Sequence, residues 1–151
     1  MTAGPVTIVT LREVTAATVR AICALETGEE QRRFVAANAL SIAQAHFEPR
    51  ALFRAVYADE TPVGFAMWKP ADEPGVAYLW RFMIDRRHQR KGQARQAITL
   101  LIDLLREAGY RRVKTSVVLD LNGPLDFYRS VDFIDTGALS TNGERVLMRG
   151  L

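Results

Sequence analysis

The chain has 151 residues, a formal net charge of +3 and a single cysteine, Cys23. Hydrophobic residues make up 48% and charged residues 25%, which is typical of a globular domain and excludes a disordered or fibrous chain. No apolar run approaches the roughly 20 residues that span a bilayer, and the N-terminus lacks the pattern of a secretory signal. A lone cysteine forms no intramolecular disulfide, which favours a reducing cytoplasm. We therefore expect one cytoplasmic domain over residues 1–151.

The spacing of apolar residues predicts eleven elements, in the order strand, two helices, three strands, helix, strand, helix and two strands. The first half is predicted as a strand over 6–14, helices over 15–28 and 29–45, and a hairpin over 54–58 and 63–68. The second half is predicted as a strand over 76–84, an amphipathic helix over 92–108, a strand over 113–119, a short helix over 124–131, and a closing pair over 133–138 and 146–148. This order predicts a mixed α/β domain.

The stretch from Phe82 to Ala94 carries the strongest functional signal. Its apolar run stops at Ile84, a basic loop with one glycine follows, and the predicted helix begins there. The first amides of a helix have no partner within the helix, and their dipoles favour an anion. Six basic or potentially basic side chains lie between Arg86 and Arg95, and Gly92 has no Cβ to hold a phosphate away from the backbone. The pattern favours a loop that binds a phosphorylated ligand over a basic turn that is only solvated.

Residues 89–94, Gln-Arg-Lys-Gly-Gln-Ala, resemble the acetyl-CoA pyrophosphate signature Q/R-x-x-G-x-G/A of the GNAT superfamily of N-acetyltransferases. The order of predicted elements fits the same fold over nearly the whole chain. This resemblance implies a single-domain α/β fold with a mixed, mostly antiparallel central sheet flanked by helices. It also implies acetyl-CoA as co-substrate and no metal. Within the superfamily, the segments 29–36, 41–45, 62–65 and 79–85 resemble the bacterial spermine/spermidine (diamine) acetyltransferases.

The resemblance also assigns residues to the acetyl-CoA. Main-chain groups of Phe82, Met83 and Ile84 would meet the pantetheine, and one amide, for which Ile84 is the candidate, would stabilise the oxyanion. Asn122 would contact the pantetheine as well. The pyrophosphate would lie on the loop formed by Gln89, Arg90, Lys91, Gly92, Gln93, Ala94 and Arg95.

Residues 122–128, Asn-Gly-Pro-Leu-Asp-Phe-Tyr, resemble a second family motif, in which the tyrosine protonates the departing CoA thiolate. The resemblance therefore implies that Tyr128 is the general acid, and a core tyrosine is the alternative. Two departures stand out. The spacing from Asn122 to Tyr128 is one residue shorter than usual, and Asp132 replaces the usual glycine where a positive φ is required.

The general base is left open by the sequence. A primary amine is mostly protonated at neutral pH, yet no acidic residue lies within 76–84. Glu26 and Glu30 are the best acidic candidates for holding the acceptor ammonium, with surface solvation as the alternative. Trp80 is a candidate for lining a pocket for a cationic substrate through cation–π contacts, with a place in the core as the alternative. Because His46 and His88 are more often solvated or structural, a relay through water is the default.

The resemblance therefore implies acetyl transfer from acetyl-CoA by direct attack of a primary amine, with a polyamine such as spermine or spermidine as the first candidate. Acetylation of another amine, such as an antibiotic or a peptide N-terminus, is one alternative. A non-catalytic acyl-CoA-binding domain is another. A nucleic-acid binder that uses the basic loop is disfavoured, so neither nucleic acid nor membrane is expected as a partner. Dimers are common in this fold, so the resemblance permits a homodimer, although the sequence identifies no interface.

Overall fold

The computed structural model describes residues 6–28, 36–121 and 123–151. Its strands are β1 (Val9–Arg12), β2 (Leu52–Ala58), β3 (Thr61–Pro70), β4 (Val76–Ile84), β5 (Arg112–Val117), β6 (Ile134–Leu139) and β7 (Arg145–Gly150). Its helices are α1 (Val19–Cys23), α2 (Asn38–His46), α3 (Gln93–Glu107) and α4 (Leu125–Ser130), with a 3-10 turn at Arg86–His88. Within these described ranges, no helix is both long and apolar enough to cross a membrane.

The strands form one seven-stranded sheet in the order β1-β2-β3-β4-β5-β7-β6. All neighbours are antiparallel except β4 and β5, which run parallel. Their pairing is short, from Val76 opposite Arg112 to Tyr78 opposite Lys114. Beyond Tyr78, β4 remains paired with β3 while β5 remains paired with β7, so the sheet divides into two halves. A cleft opens at this division.

A β-bulge in β4 lies at the start of the cleft. Met67 of β3 pairs with Arg81, but the next residue, Trp68, pairs with Leu79, so Trp80 has no partner in β3. A residue inserted in this way bends its strand and increases the local twist. The bulge therefore coincides with the point where β4 leaves β5.

Helices cover both faces of the sheet. On one face, α3 and α4 pack over the central strands, and α3 buries a stripe at helical spacing: Ala97, Ile98, Leu101, Ile102 and Leu105. On the other face, Ile22 and Leu25 pack with Phe65, Met67 and Met83 of the sheet. Both helical layers contact β4. They therefore hold in place the strand along which the cleft runs.

The predictions for β4 and α3 are confirmed, but the second helix does not run unbroken over 29–45 as predicted. That helix begins at Asn38, after an extended Ala37 with ψ of 146°. The side-chain amide of the buried Asn38 donates to the Ile22 carbonyl at 2.9 Å, so a tertiary contact fixes where the helix starts. Residues 29–35 lie outside the described residues. The first strand is also shorter than predicted, running from Val9 to Arg12.

Asp132 has the positive φ that its position in the motif predicts. Its φ is +72°, and the Phe133 amide donates back to the Tyr128 carbonyl at 3.0 Å, which closes the end of α4. This left-handed conformation costs a residue other than glycine about 1–2 kcal/mol. The turn nevertheless brings Phe133 against the Tyr128 ring.

Candidate active site

The cleft between the diverging ends of β4 and β5 holds a cavity of about 960 Å³. The parts of the chain that surround it are the basic loop before α3, strands β4 and β5, the helix α4, the turn between β6 and β7, and residues 27, 36 and 44 in and before α2. A cavity of this size matches the pockets that take cofactor-sized ligands.

The loop before α3 closes one end of the cavity. Gly92 caps α3 with φ of +76°, and no described side chain caps the helix, so its first amides remain available for an anion. Of the predicted loop residues, Gln89, Arg90, Gly92, Ala94 and Arg95 line the cavity. The other two do not: Lys91 is exposed, and Gln93 is buried at the start of α3.

Two hydrogen bonds hold this loop against its neighbours. The Gln89 side-chain amide donates to the Ile84 carbonyl at 2.9 Å, and Arg95 donates to the Ser130 carbonyl at 3.0 Å. The first bond ties the loop to β4 and the second ties it to the end of α4. The loop, the strand and the short helix are therefore fixed relative to one another.

The end of β4 forms one wall of the cavity. Phe82, Met83 and Ile84 all line it, and β5 makes no ladder pairs with this part of the strand. Main-chain groups on that edge can thus bond a ligand that runs along the strand. A pantetheine arm, which carries amide donors and acceptors, suits such an edge.

Asp85 anchors the strand end just beyond this wall. One carboxylate oxygen accepts the Glu26 amide at 2.8 Å, and the other accepts the Arg87 amide at 3.1 Å and its guanidinium at 2.9 Å. Burial alone would raise the Asp85 pKa, but these bonds together bring the pKa below its ordinary value. The carboxylate therefore stays ionised, and it joins the segment after α1 to the end of β4.

Tyr128 of α4 also lines the cavity. It is buried, and its ring packs against Phe127 and Phe133 at centroid distances of 5.3 and 5.1 Å. Burial raises the Tyr128 pKa well above its ordinary value, although a hydrogen bond with Thr115 opposes this. The phenol is therefore protonated at neutral pH.

Three polar side chains meet on the side of the cavity formed by β4, β5 and the β6–β7 turn. The Tyr78 hydroxyl lies 2.9 Å from the Ser116 hydroxyl, and Ser116 donates to a Glu144 carboxylate oxygen at 2.8 Å. All three line the cavity, and Glu144 is the one carboxylate among its described lining residues. Ser116 and Glu144 were not predicted from the sequence, because strand pairing alone brings these residues together.

Arg81 lies beside these groups and was also missed. Its guanidinium donates to the Gln44 side chain at 2.9 Å and to the Trp80 carbonyl at 3.0 Å, while its buried Nε has no hydrogen-bond partner among the described residues. Burial lowers the Arg81 pKa, partly offset by Tyr78 and Glu144. Nothing in the local sequence pattern distinguishes this arginine from a surface one.

The residues predicted to bind the acceptor do not all lie in this cavity. Trp80 lines the cavity, but two cations of the chain already lie over its ring, Lys69 Nζ at 4.3 Å and Arg81 Cζ at 5.4 Å. Glu26 is exposed and lines a separate cavity of about 340 Å³, together with Met83. Glu30 and Asn122 lie outside the described residues, so their predicted roles stay predictions.

The model of the acetyltransferase (GNAT) family matches residues 17–133, which include β4, the basic loop and Tyr128. The chain belongs to this family. It is an acetyl-CoA-dependent N-acetyltransferase, and its mixed, mostly antiparallel sheet is the sheet of the GNAT fold. The basic loop and the open edge of β4 are the parts of this cavity that would hold the phosphates and the pantetheine of the cofactor.

Relatives agree with this assignment. The spermine/spermidine N(1)-acetyltransferase of Bacillus subtilis is 26% identical over 154 aligned residues, which cover 95% of this chain and 99% of the relative. The PaiA N-acetyltransferase of Thermoplasma acidophilum, solved with coenzyme A, has a TM-score of 0.60 at 16% identity and covers 74% of this chain and 68% of its own. N-acetylglutamate synthase of Neisseria gonorrhoeae, solved with coenzyme A and N-acetyl-glutamate, has a TM-score of 0.73 at 17% identity and covers 95% of this chain and 35% of its own. The two solved structures show a shared fold.

Proposed function

We propose that this GNAT enzyme acetylates a primary amine of a polyamine such as spermine or spermidine. Two findings support the acceptor class. The Bacillus subtilis relative is named for these substrates, and the carboxylate of Glu144 lines the same cavity as Tyr128. A carboxylate attracts an ammonium group, and more strongly inside a cleft than in open water.

The observation that carries the reaction is that Tyr128, the end of β4 and the basic loop line one cavity. The loop would hold the pyrophosphate and the edge of β4 the pantetheine. An amide near Ile84 would stabilise the oxyanion that forms when the amine attacks the thioester carbonyl. The C–N bond forms, the C–S bond breaks, and Tyr128 gives its proton to the departing thiolate. No covalent enzyme intermediate is needed.

Arg81 favours a second acceptor class. Among the described residues, no carboxylate lies within ion-pair distance of its half-buried guanidinium, which bonds Gln44 inside the cavity. Such a group binds a carboxylate or phosphate well and repels a cation. An amine that also carries an anionic group is therefore the second candidate.

Thiol release from acetyl-CoA across paired acceptors separates the two classes. We expect spermine and spermidine to react faster than putrescine, and putrescine faster than butylamine, because each lost amine removes a cation from the acceptor. Lysine and cadaverine differ by one carboxylate, so a faster reaction of lysine would favour the second class. Silence with all polyamines, while acetyl-CoA still binds, would contradict the polyamine proposal.

A further inference from the structure

Glu144 is held in one orientation by the strands and by its own hairpin. The Glu144 amide donates to the Ser140 hydroxyl at 3.1 Å, and the Ser140 amide donates to the Glu144 carbonyl at 2.7 Å. The carboxylate itself accepts the Ser116 hydroxyl through Oε2. These bonds fix both the backbone and one oxygen of a side chain that lines the cavity.

The hydrogen bonds also have a fixed direction. A serine hydroxyl carries one hydrogen, and Ser116 gives it to Glu144, so Tyr78 must donate to the Ser116 oxygen. The chain of donors therefore ends at the carboxylate. Oε1 accepts no hydrogen bond from any residue that the structure describes, which leaves it for a donor inside the cavity.

The charges around Glu144 do not neutralise it. Arg81 on β4 acts on it through space, yet among the described residues no cation lies within ion-pair distance of its carboxylate. Arg145, the next residue, is paired with Asp135 of β6 at 3.0 Å. Tyr78 faces Glu144 from β4 only through the Ser116 hydroxyl. Within the described part of the chain, Glu144 is therefore an unpaired carboxylate in the cavity that also contains Tyr128.

We propose that Glu144 is the catalytic base of the acetyl transfer and that Ser116 and Tyr78 are its positioning residues. Oε1 meets the acceptor ammonium and takes one proton from it, which leaves a neutral amine with a free lone pair. That lone pair attacks the thioester carbon. As the C–S bond breaks, Tyr128 protonates the thiolate and the second proton of the nitrogen passes through water to restore the Tyr128 phenol. The proton on Glu144 then leaves to solvent, so one proton is released overall. The inference rests on acetyl transfer to an amine and does not require the acceptor to be a polyamine.

Glu144→Gln tests the base because it keeps an oxygen for Ser116 and removes the proton-accepting charge. With the best acceptor of the amine panel, we expect kcat/KM at pH 7 to fall by about 10²–10³-fold. The loss should shrink as pH rises toward the pKa of the free amine, since only the neutral amine then reacts. Glu144→Asp should retain part of the activity, and Ser116→Ala should lose less than Glu144→Gln.

The control is Glu73→Gln, because Glu73 is paired with Lys114 at 2.8 Å outside the lining of the cavity. A β-fluorinated analogue of the acceptor, which is less protonated, should narrow the gap between wild type and Glu144→Gln. A Glu144→Gln enzyme with the pH profile of wild type, or with an equal loss on both amines, would overturn the assignment. If polyamines fail but another amine reacts, the polyamine proposal is wrong, and the Glu144 test is done with that amine.

Discussion

Replacing Tyr128 with phenylalanine is expected to lower kcat by about 10²-fold, with acetyl-CoA affinity almost unchanged. A phenol is protonated at neutral pH, and burial raises the Tyr128 pKa further, so the proton is in place when the C–S bond breaks. Phenylalanine keeps the contacts with Phe127 and Phe133 and removes only the hydroxyl. Steady-state kinetics of thiol release, together with calorimetric titration of acetyl-CoA, measure the two quantities separately.

A buried tyrosine outside the cavity provides the matched control. Tyr57 of β2 is buried in the core under α1 and does not line the cavity, so Tyr57→Phe should keep its kcat. Loss of the Tyr128 hydroxyl should cost about 1 kcal/mol of unfolding free energy, which leaves the enzyme folded. Full turnover by the Tyr128→Phe enzyme would show that the thiolate takes its proton from another source.

Replacing Gly64 with alanine is expected to lower the unfolding free energy by about 2–3 kcal/mol. Gly64 of β3 pairs with Ile84 of β4, and an added Cβ would lie 2.5 Å from the Met83 carbonyl oxygen and 2.7 Å from Ile84 Cδ1. Backbone cannot move aside as a side-chain tip can, so β3 and β4 must separate. In a chain of this size the melting temperature should fall by roughly 5–10 °C.

This substitution should also weaken acetyl-CoA binding, since it displaces the part of β4 that lines the cavity. Gly150→Ala is the control, because Gly150 ends β7 and no described atom lies within 4 Å of the Cβ that alanine would add there. It should change the unfolding free energy by less than about 0.5 kcal/mol. Equal melting temperatures of the two variants would mean that β3 and β4 tolerate a Cβ at Gly64.

The part of the site built from residues close together in the sequence could be predicted. The strand, the loop around Gly92 and the helix α3 follow one another without interruption, and each has a strong pattern of its own. Tyr128 lies within one short motif. The positive φ of Asp132 could be anticipated as well, since a helix that ends in this way requires a left-handed residue.

The acceptor side could not be predicted, because no local pattern encodes it. Ser116 and Glu144 are 28 residues apart and meet only because β7 pairs with β5 and carries its hairpin turn to the cleft. Arg81 reaches Gln44 across 37 positions. The bulge at Trp80 depends on the register between β3 and β4. β4 is apolar on both faces, so its sequence has no alternation that would specify this register.

Amide hydrogen exchange with and without acetyl-CoA tests the central claim, that the cofactor lies along β4 with its phosphates on the loop before α3. At saturating acetyl-CoA we expect slower exchange over residues 82–84 and 89–95, where main-chain amides gain partners, and unchanged exchange in β1 at the far edge of the sheet. Binding that leaves the exchange of residues 82–84 and 89–95 unaltered would contradict this placement of the cofactor.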